Sequence, residues 1–270
     1  MIIRQAYISP AISFFEGEIR KRYKFVPYIN SNKPAIFYGC YSPKKYRSGR
    51  RRPDVSTVEA HKSLGIIVWC GSDALVAHLP PYKKIRSASN LRHIAVSRSV
   101  SEDLLHLGIP HTYVPLCSVN THIYHNYNIP LGLKVYVYTS FNIPEVYGFD
   151  LVKQVQAKLP DVEFMVHAAL PPYSIPRAKM PRAYGECFIG LRLTTHDGLS
   201  NTVVELGMMG RRCVWNGWMP NAIPWTSVDD VVRIIKEEQS RIGELHPEVK
   251  EVVCKYLRVG RDWLHPKFYE

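Results

Sequence analysis

The sequence predicts an α/β protein built as two doubly wound units, each a largely parallel sheet with helices on both faces. Three observations carry that prediction. Short apolar runs recur along the whole chain without polar alternation, the pattern of strands buried on both faces. Stretches with helical spacing separate them, so strand and helix alternate through both halves. The chain has 270 residues and 46% hydrophobic content, enough for two modest cores.

In the first half, Ile2-Ile3, Tyr7-Ile8 and the run from Ala11 to Phe15 give a strand-like opening, and the charged stretch Glu16 to Lys24 reads as a helix or solvated face. Pro34 to Tyr41 reads as a buried strand. Ser56 to Leu64 predicts a short helix and Ile66 to Cys70 a strand running into the turn Gly71-Ser72-Asp73. His93 to Val96 is the next strand. Val100 to Leu107 is a helix, capped by Ser97 or Ser99 and ended at Gly108. Tyr113 to Leu116 closes this half as a strand, and Asn120 to Pro130 reads as a linker. His61 and His78 read as structural or exposed.

Leu133 to Tyr138 opens the second half as a strand, followed by a loop through Tyr147-Gly148 and an amphipathic helix from Phe149 to Leu159, stopped by Pro160. Glu163 to Ala168 is a strand, and Pro171 to Pro181 a proline-rich loop. Cys187 to Leu193 is a strand, Thr202 to Met209 a short helix stopped by Gly210, and Cys213 to Trp215 a further strand. Trp215 to Trp225 reads as a rigid aromatic loop. Val228 to Ser240 and Glu248 to Val259 are the last helices. The boundaries expected are 1–125, 126–247 and a tail, 248–270.

The chemistry concentrates between Thr194 and Glu205. Thr194 to Asn201 form a polar turn at a strand's carboxyl end and a helix's amino end, and Glu205 lies one turn into that helix. Free backbone N–H groups and the helix dipole favour an anion there, and open α/β sheets bind ligands at such places. Asp197 and Glu205 bracket the turn with seven residues between them. A carboxylate can accept two hydrogen bonds from a vicinal diol such as a ribose. The alternative is an ordinary helix start with Asp197 and Asn201 as caps.

This segment resembles the acid-x7-acid signature of retaining GT-B glycosyltransferases, the glycogen-synthase-like superfamily. Their Glu-Gly-(x)6-Glu-Ala then Gly-x-Pro-Val stands here as Asp197-Gly198-(x)6-Glu205-Leu206 and Gly210-Arg211-Arg212-Cys213-Val214. Arg192, Thr194, Asp197 and Gly198 match the Arg-x-Thr-x-x-Asp-Gly of a subgroup. The resemblance implies two Rossmann-like domains facing a cleft and a donor such as a UDP- or GDP-sugar. It also implies retention at the anomeric carbon. Donor contacts are expected from Ser140, Arg192, Thr194, Gly198, Leu199, Ser200, Asn201, Thr202 and Glu205, with Glu205 on the ribose and Asp197 orienting the sugar. Tyr147-Gly148 stands where Lys-Gly is common, so Ser140 and Arg192 are the candidates to replace that phosphate contact. With no Asp-x-Asp motif in a suitable loop, no metal is required. In the first half, the resemblance places the Gly71-Ser72-Asp73 turn at the cleft. Asp73 is then a candidate for contact with the reacting sugar or acceptor, and a base if the reaction inverts; otherwise it caps its own turn. The first half is short for this fold, so some strands are expected to be missing, and a terminal helix is expected to cross back to it.

Charge points to the acceptor. The net charge is +12, and residues 1–128 hold 18 Lys+Arg against 7 Asp+Glu, hence +11. Lys44, Arg50, Arg51 and Arg52 fall in one Gly- and Pro-bearing stretch, either a solvated loop or a contact to a phosphate backbone or anionic lipid. The acceptors in view are DNA with hydroxymethylated pyrimidines, the base flipped to reach the donor, and a cell-surface or viral glycan, lipid-linked or protein-linked, with peripheral membrane contact. A non-catalytic nucleic-acid-binding protein is the reading of another class; it leaves Asp197 and Glu205 unexplained. Six cysteines without CxxC spacing, no signal pattern and no membrane-length apolar run predict a cytoplasmic protein, in the host cytoplasm if the compact chain is viral or from a phage.

Overall fold

The computed structural model describes residues 2–41, 54–119, 123–124, 127–168, 170–194 and 196–269. They divide into two compact units. The first comprises Met1–Val119, Asp197–Leu199 and Val259–Glu270, and the second Asn120–His196 and Ser200–Arg258.

The first unit runs β1 (Gln5–Ile8), α1 (Glu16–Tyr23), β2 (Val26–Pro27), β3 (Ala35–Tyr38), α2 (Asp54–Glu59), β4 (Gly65–Trp69), α3 (Ser72–Leu75), α4 (Lys83–Ser87), β5 (Leu91–Ala95), α5 (Arg98–His106) and β6 (Thr112–Tyr113). Its six strands are ordered β2-β1-β3-β4-β5-β6, and every neighbouring pair is parallel. All six belong to the short first half of the chain. The two-residue β2 has exposed side chains and no periodicity to betray it. Alternate residues of the central strands enter two separate cores. Ile36, Tyr38, Ile66, Val68 and Ile94 face one way, and Ala35, Phe37, Ile67, Trp69 and Ala95 the other. Burial on both faces is why these strands read as continuous apolar runs.

The second unit runs β7 (Lys134–Thr139), α6 (Phe149–Lys158), β8 (Phe164–Ala168), α7 (Met180–Gly185), β9 (Cys187–Leu191), α8 (Asn201–Met208), β10 (Arg212–Val214), β11 (Ala222–Ile223), α9 (Val228–Gln239) and α10 (Pro247–Tyr256). The order is β11-β10-β9-β7-β8, again parallel throughout. Strand β11 lies in the segment that the sequence offers as an aromatic loop. On one face Val135, Val137, Ile189 and Leu191 pack with Val152 and Val155 of α6 and Val231 and Ile235 of α9. On the other, α8 seats closely on β9: a Cβ at Gly190 would stand 2.2 Å from Leu206 Cδ1. A side chain at 190 would have to displace the Leu206 tip that α8 lays over the sheet.

Helix α10 stays in the second unit. The chain after it belongs to the first, where Val259, Trp263, Leu264 and Tyr269 join the core of α1 and β1 and Ile3 N donates to Leu264 O at 2.9 Å. The element that returns is thus this short tail of turns, not the helix.

Candidate functional site

Both sheets reverse their order of strand addition once, between β1 and β3 in the first unit and between β7 and β9 in the second. At such a switch point adjacent loops leave in opposite directions and a crevice opens outside the carboxyl ends of the strands. In the second unit the strands flanking it end at Thr139-Ser140 and at Leu191 followed by Arg192. Thr139 and Thr194 are buried, and neither hydroxyl has a hydrogen-bond partner among the described residues. Ser140 is half-buried beside Thr139 and accepts from Ile143 N at 3.1 Å.

Arg192 is fixed by its surroundings. Its backbone N–H donates to Val214 O at 2.9 Å. Its guanidinium stands 4.6 Å from the ring centre of Tyr147 and 5.5 Å from that of Tyr138. A cation over an aromatic face is held electrostatically without losing its charge. Tyr147, at the position where the resembling family carries lysine, thus braces a cation supplied by β9. The sequence singles out Arg192 and marks Tyr147 only as the residue in the lysine's place; nothing in it marks Tyr138.

Helix α8 starts at Asn201, with Ser200 in the capping position. Ser200 is buried, yet no side-chain capping bond is made, so α8's first turn keeps backbone donors that no side-chain cap takes. Asn201 and Thr202 form that turn. Asp197 does not cap the helix; its Oδ1 accepts from Gly198 N at 3.0 Å, within its own turn.

Glu205 lies on the buried side of α8, 7% exposed. Its Oε2 accepts from Tyr184 Oη at 2.6 Å, and its Oε1 is 3.8 Å from Arg177 Nη2. Burial first, and the Glu205 charge next, push the Tyr184 phenol well above its ordinary value, so it stays a protonated donor. Arg177 and Tyr184 belong to the proline-rich stretch and to α7, and neither is marked by a motif. Tyr184 is traceable only as an apolar position leading into β9.

The turn Asp197–Leu199 groups with the first unit, where it meets the other turn that the sequence singles out. A Cβ on Gly198 would stand 1.9 Å from Cys70 O and 3.2 Å from Gly71 Cα. Leu199 packs against the core of β1 and β3.

Asp73 is corrected. It is fully buried, and its carboxylate accepts from the backbone N–H groups of Cys40 (3.0 Å), Cys70 (2.9 Å), Gly71 (2.8 Å) and Ala74 (3.2 Å). Burial pushes its carboxyl up to about 6, against the pull of those donors. A carboxylate so enclosed ties the ends of β3 and β4 together and leaves no face for an acceptor hydroxyl. His61 is buried, bonded to Tyr28 Oη at 3.2 Å and Leu64 O at 3.1 Å; His78 is exposed. Asp54 escaped the sequence reading. It is buried and accepts from Tyr7 Oη (2.7 Å), Ser9 Oγ (2.5 Å) and Tyr41 N (2.9 Å). Lys44, Arg50, Arg51 and Arg52 lie outside the described residues. Among the described residues no cluster of three His, Cys, Asp or Glu could hold a metal ion. None of the described helices is long and apolar enough to cross a membrane.

No family model matches the sequence, and no curated protein matches it either. Solved structures do match the fold. Sucrose-phosphate synthase from Thermosynechococcus elongatus superposes with a TM-score of 0.55 at 9% identity, over 94% of this chain and 72% of that one. TarM, from S. aureus, superposes at 0.56 and 12% identity, over 89% of this chain and 55% of its own. The DNA modifying enzyme β-glucosyltransferase, whose substrate is uridine diphosphoglucose, superposes at 0.50 and 10% identity, over 94% of this chain and 90% of that one. The chain thus spans little more than half of TarM but most of the β-glucosyltransferase. All three are GT-B glycosyltransferases, and their likeness shows that this chain has the GT-B fold.

Proposed function

We propose that this chain, built on the GT-B fold, is a glycosyltransferase that moves a sugar from a nucleotide-diphosphate sugar to an acceptor hydroxyl. One observation carries the reading most directly: Glu205 is buried on α8 and held by Tyr184, while Arg192, a cation braced by two tyrosines, follows the end of β9 at the switch point. The helix amino end and Arg192 meet the charge of the leaving diphosphate, a preorganised electrostatic stabilisation. Ser140, Thr194, Ser200, Asn201 and Thr202 supply hydroxyls, an amide and backbone N–H groups along the same turn. Glu205 receives the ribose hydroxyls, its geometry fixed by Tyr184. Asp197 and the Gly198 and Leu199 amides orient the sugar.

Retention at the anomeric carbon is part of the proposal, supported by the acid-x7-acid spacing and by the enclosure of Asp73, which removes the base considered for inversion. Metal-independent transfer fits too, because Arg192 and the helix end carry the charge. The free state of all six cysteines suits a reducing compartment, and we place the protein in the cytoplasm. For the acceptor, the +11 balance of residues 1–128 favours a polyanion. DNA bearing hydroxymethylated pyrimidines is the first candidate, with Lys44 and Arg50–Arg52 as phosphate contacts, and an anionic glycan or lipid-linked acceptor the second.

A thermal-shift panel of UDP- and GDP-sugars tests the donor. A ligand at a hundred times its Kd stabilises the native state by about 2.7 kcal/mol. Release of the nucleotide is then followed with hydroxymethylated DNA, unmodified DNA and glycans as acceptors. Melting points that ignore every sugar nucleotide, together with salt-sensitive DNA binding, would transfer the protein to the non-catalytic class.

A further inference from the structure

The two faces of the second sheet are chemically unlike. Val135, Val137, Ile189 and Leu191 make one of them apolar. On the other, alternate residues of β7 and β8 bring phenols and an imidazole together. Tyr138 and His167 are paired neighbours across the two strands, with ring centres 5.4 Å apart. His167 Nδ1 is hydrogen-bonded to Tyr136 Oη at 2.5 Å. Tyr184 of α7 stands edge-on to Tyr136, ring centres 4.7 Å apart, and the two hydroxyls bond. Tyr184 in turn donates to Glu205. A hydrogen-bonded chain thus leads from His167 on β8 through two phenols to the carboxylate on α8.

Proton counting gives this chain a direction. Glu205 only accepts, so Tyr184 spends its one proton there. Tyr136 also has one proton, with Tyr184 Oη and a neutral His167 Nδ1 as its two acceptors. Burial keeps both phenols protonated. While His167 is neutral, its bond to Tyr136 can run either way, according to the tautomer. An imidazolium has donors on both nitrogens. Nδ1 must then donate to Tyr136, Tyr136 to Tyr184 and Tyr184 to Glu205, each bond reinforcing the next. His167 is half-buried and its Nε2 makes no hydrogen bond among the described residues, which leaves that nitrogen to exchange a proton.

We propose that His167 is a positioning residue of the donor site: its protonation locks Tyr136 and Tyr184 in one orientation and so fixes Glu205 for the ribose. The inference rests on Glu205 and Arg192 holding the donor as proposed above. The groups that face the imidazole are Tyr136 and Tyr138. Arg192 packs on the same Tyr138 ring, 5.5 Å from its centre. A diphosphate at Arg192 therefore favours the imidazolium, and by reciprocity the imidazolium favours the diphosphate. Among His167, Tyr136, Tyr138, Tyr184, Arg192 and Glu205, only the imidazole ordinarily changes charge near neutral pH.

The test is the Kd of a UDP- or GDP-sugar, measured by titration calorimetry between about pH 5 and 8 on protein shown by circular dichroism to be folded. Both phosphates of a sugar nucleotide are esterified, so the ligand lacks the terminal-phosphate ionisation at about 6. Binding should be about fivefold tighter at the acid end. Burial lowers the imidazole below its ordinary 6.5, so the change begins on the acid side of that value. His167→Gln keeps a polar partner for Tyr136 but takes no proton, and it should flatten the curve. His196→Gln, at the other histidine near the site, should keep the slope. A second measurement needs no ligand. The nitrogen-15 shifts of the His167 ring across pH give its midpoint, which should fall in Glu205→Gln because the chain then ends on a neutral amide. An unmoved midpoint overturns the inference. So does a Kd that ignores pH, or a slope that survives His167→Gln or vanishes in His196→Gln; in each of these cases glycosyl transfer stands. A protein that binds no sugar nucleotide at any pH loses the proposed function, and this inference with it.

Discussion

Glu205 owes its usefulness to Tyr184. A lone carboxylate on a buried helix face would be costly, but the phenol donating to Oε2 and the guanidinium near Oε1 keep it ordered. Glu205→Gln keeps shape and an acceptor for Tyr184 but loses the charge-assisted bonds to a ribose. The Kd for the sugar nucleotide should rise about tenfold or more, measured by titration calorimetry on protein shown to be folded. Arg211 is the opposite case, a charged residue whose work is structural. It is 1% exposed and donates to the carbonyls of Tyr184, Gly185, Cys187, Met209, Ile129 and Pro130. Burial lowers its guanidinium to about 10, still charged at neutral pH. Arg211→Met strands those oxygens and should cost about 3 kcal/mol or more of unfolding free energy in urea. His93 makes stability depend on pH. Burial lowers it to about 4 from the ordinary 6.5, so between these values the unfolded chain binds the extra proton and acid destabilises the fold. His93→Gln, which keeps an acceptor for Trp69 Nε1, should remove about 3 kcal/mol of acid sensitivity between pH 6.5 and 4. Asp73 has the opposite sign. Raised to about 6 from 3.8, it contributes stability below 3.8 that is lost as pH rises through 6, and this opposing slope should emerge in the same variant.

At the scale of elements, the turn from Thr194 to Ser200 is where sequence and structure meet most closely. Its position between β9 and α8 follows from an apolar run, a polar interval and helical spacing, all visible in the residues. The close approach of Gly198 to Cys70 O is not visible, because it joins segments more than a hundred residues apart. Gly198→Ala must displace one of two backbones and should lower stability by about 1–3 kcal/mol, read as a fall in melting point. The neighbouring loop is held differently, by Tyr147 against Arg192. The elements missing from the sequence reading, β2, β11, α3, α4 and α7, are all of six residues or fewer, too short to show a period of either kind.

For the whole molecule, two parallel sheets with one reversal each put two switch points at the carboxyl ends of strands, and the chain's charge is divided unequally between its halves. If the basic half meets a polyanion, the KM for that acceptor should rise steeply as salt increases. The KM for the sugar nucleotide, bound through a single diphosphate, should change little. A steady-state series in sodium chloride separates the two. The sequence alone determined the strand–helix alternation, the buried character of the strands and the placing of Arg192, Thr194 and Glu205 around one turn. It could do so because hydrophobic period and turn chemistry are local properties, written within a dozen residues. Only the tertiary structure decided that Asp73 is enclosed by four backbone N–H groups, that Tyr184 grips Glu205, and that the last turns of the chain join the core of the first unit. Those outcomes depend on which distant segments become neighbours, and burial and hydrogen-bond satisfaction are settled only when the packed chain excludes water.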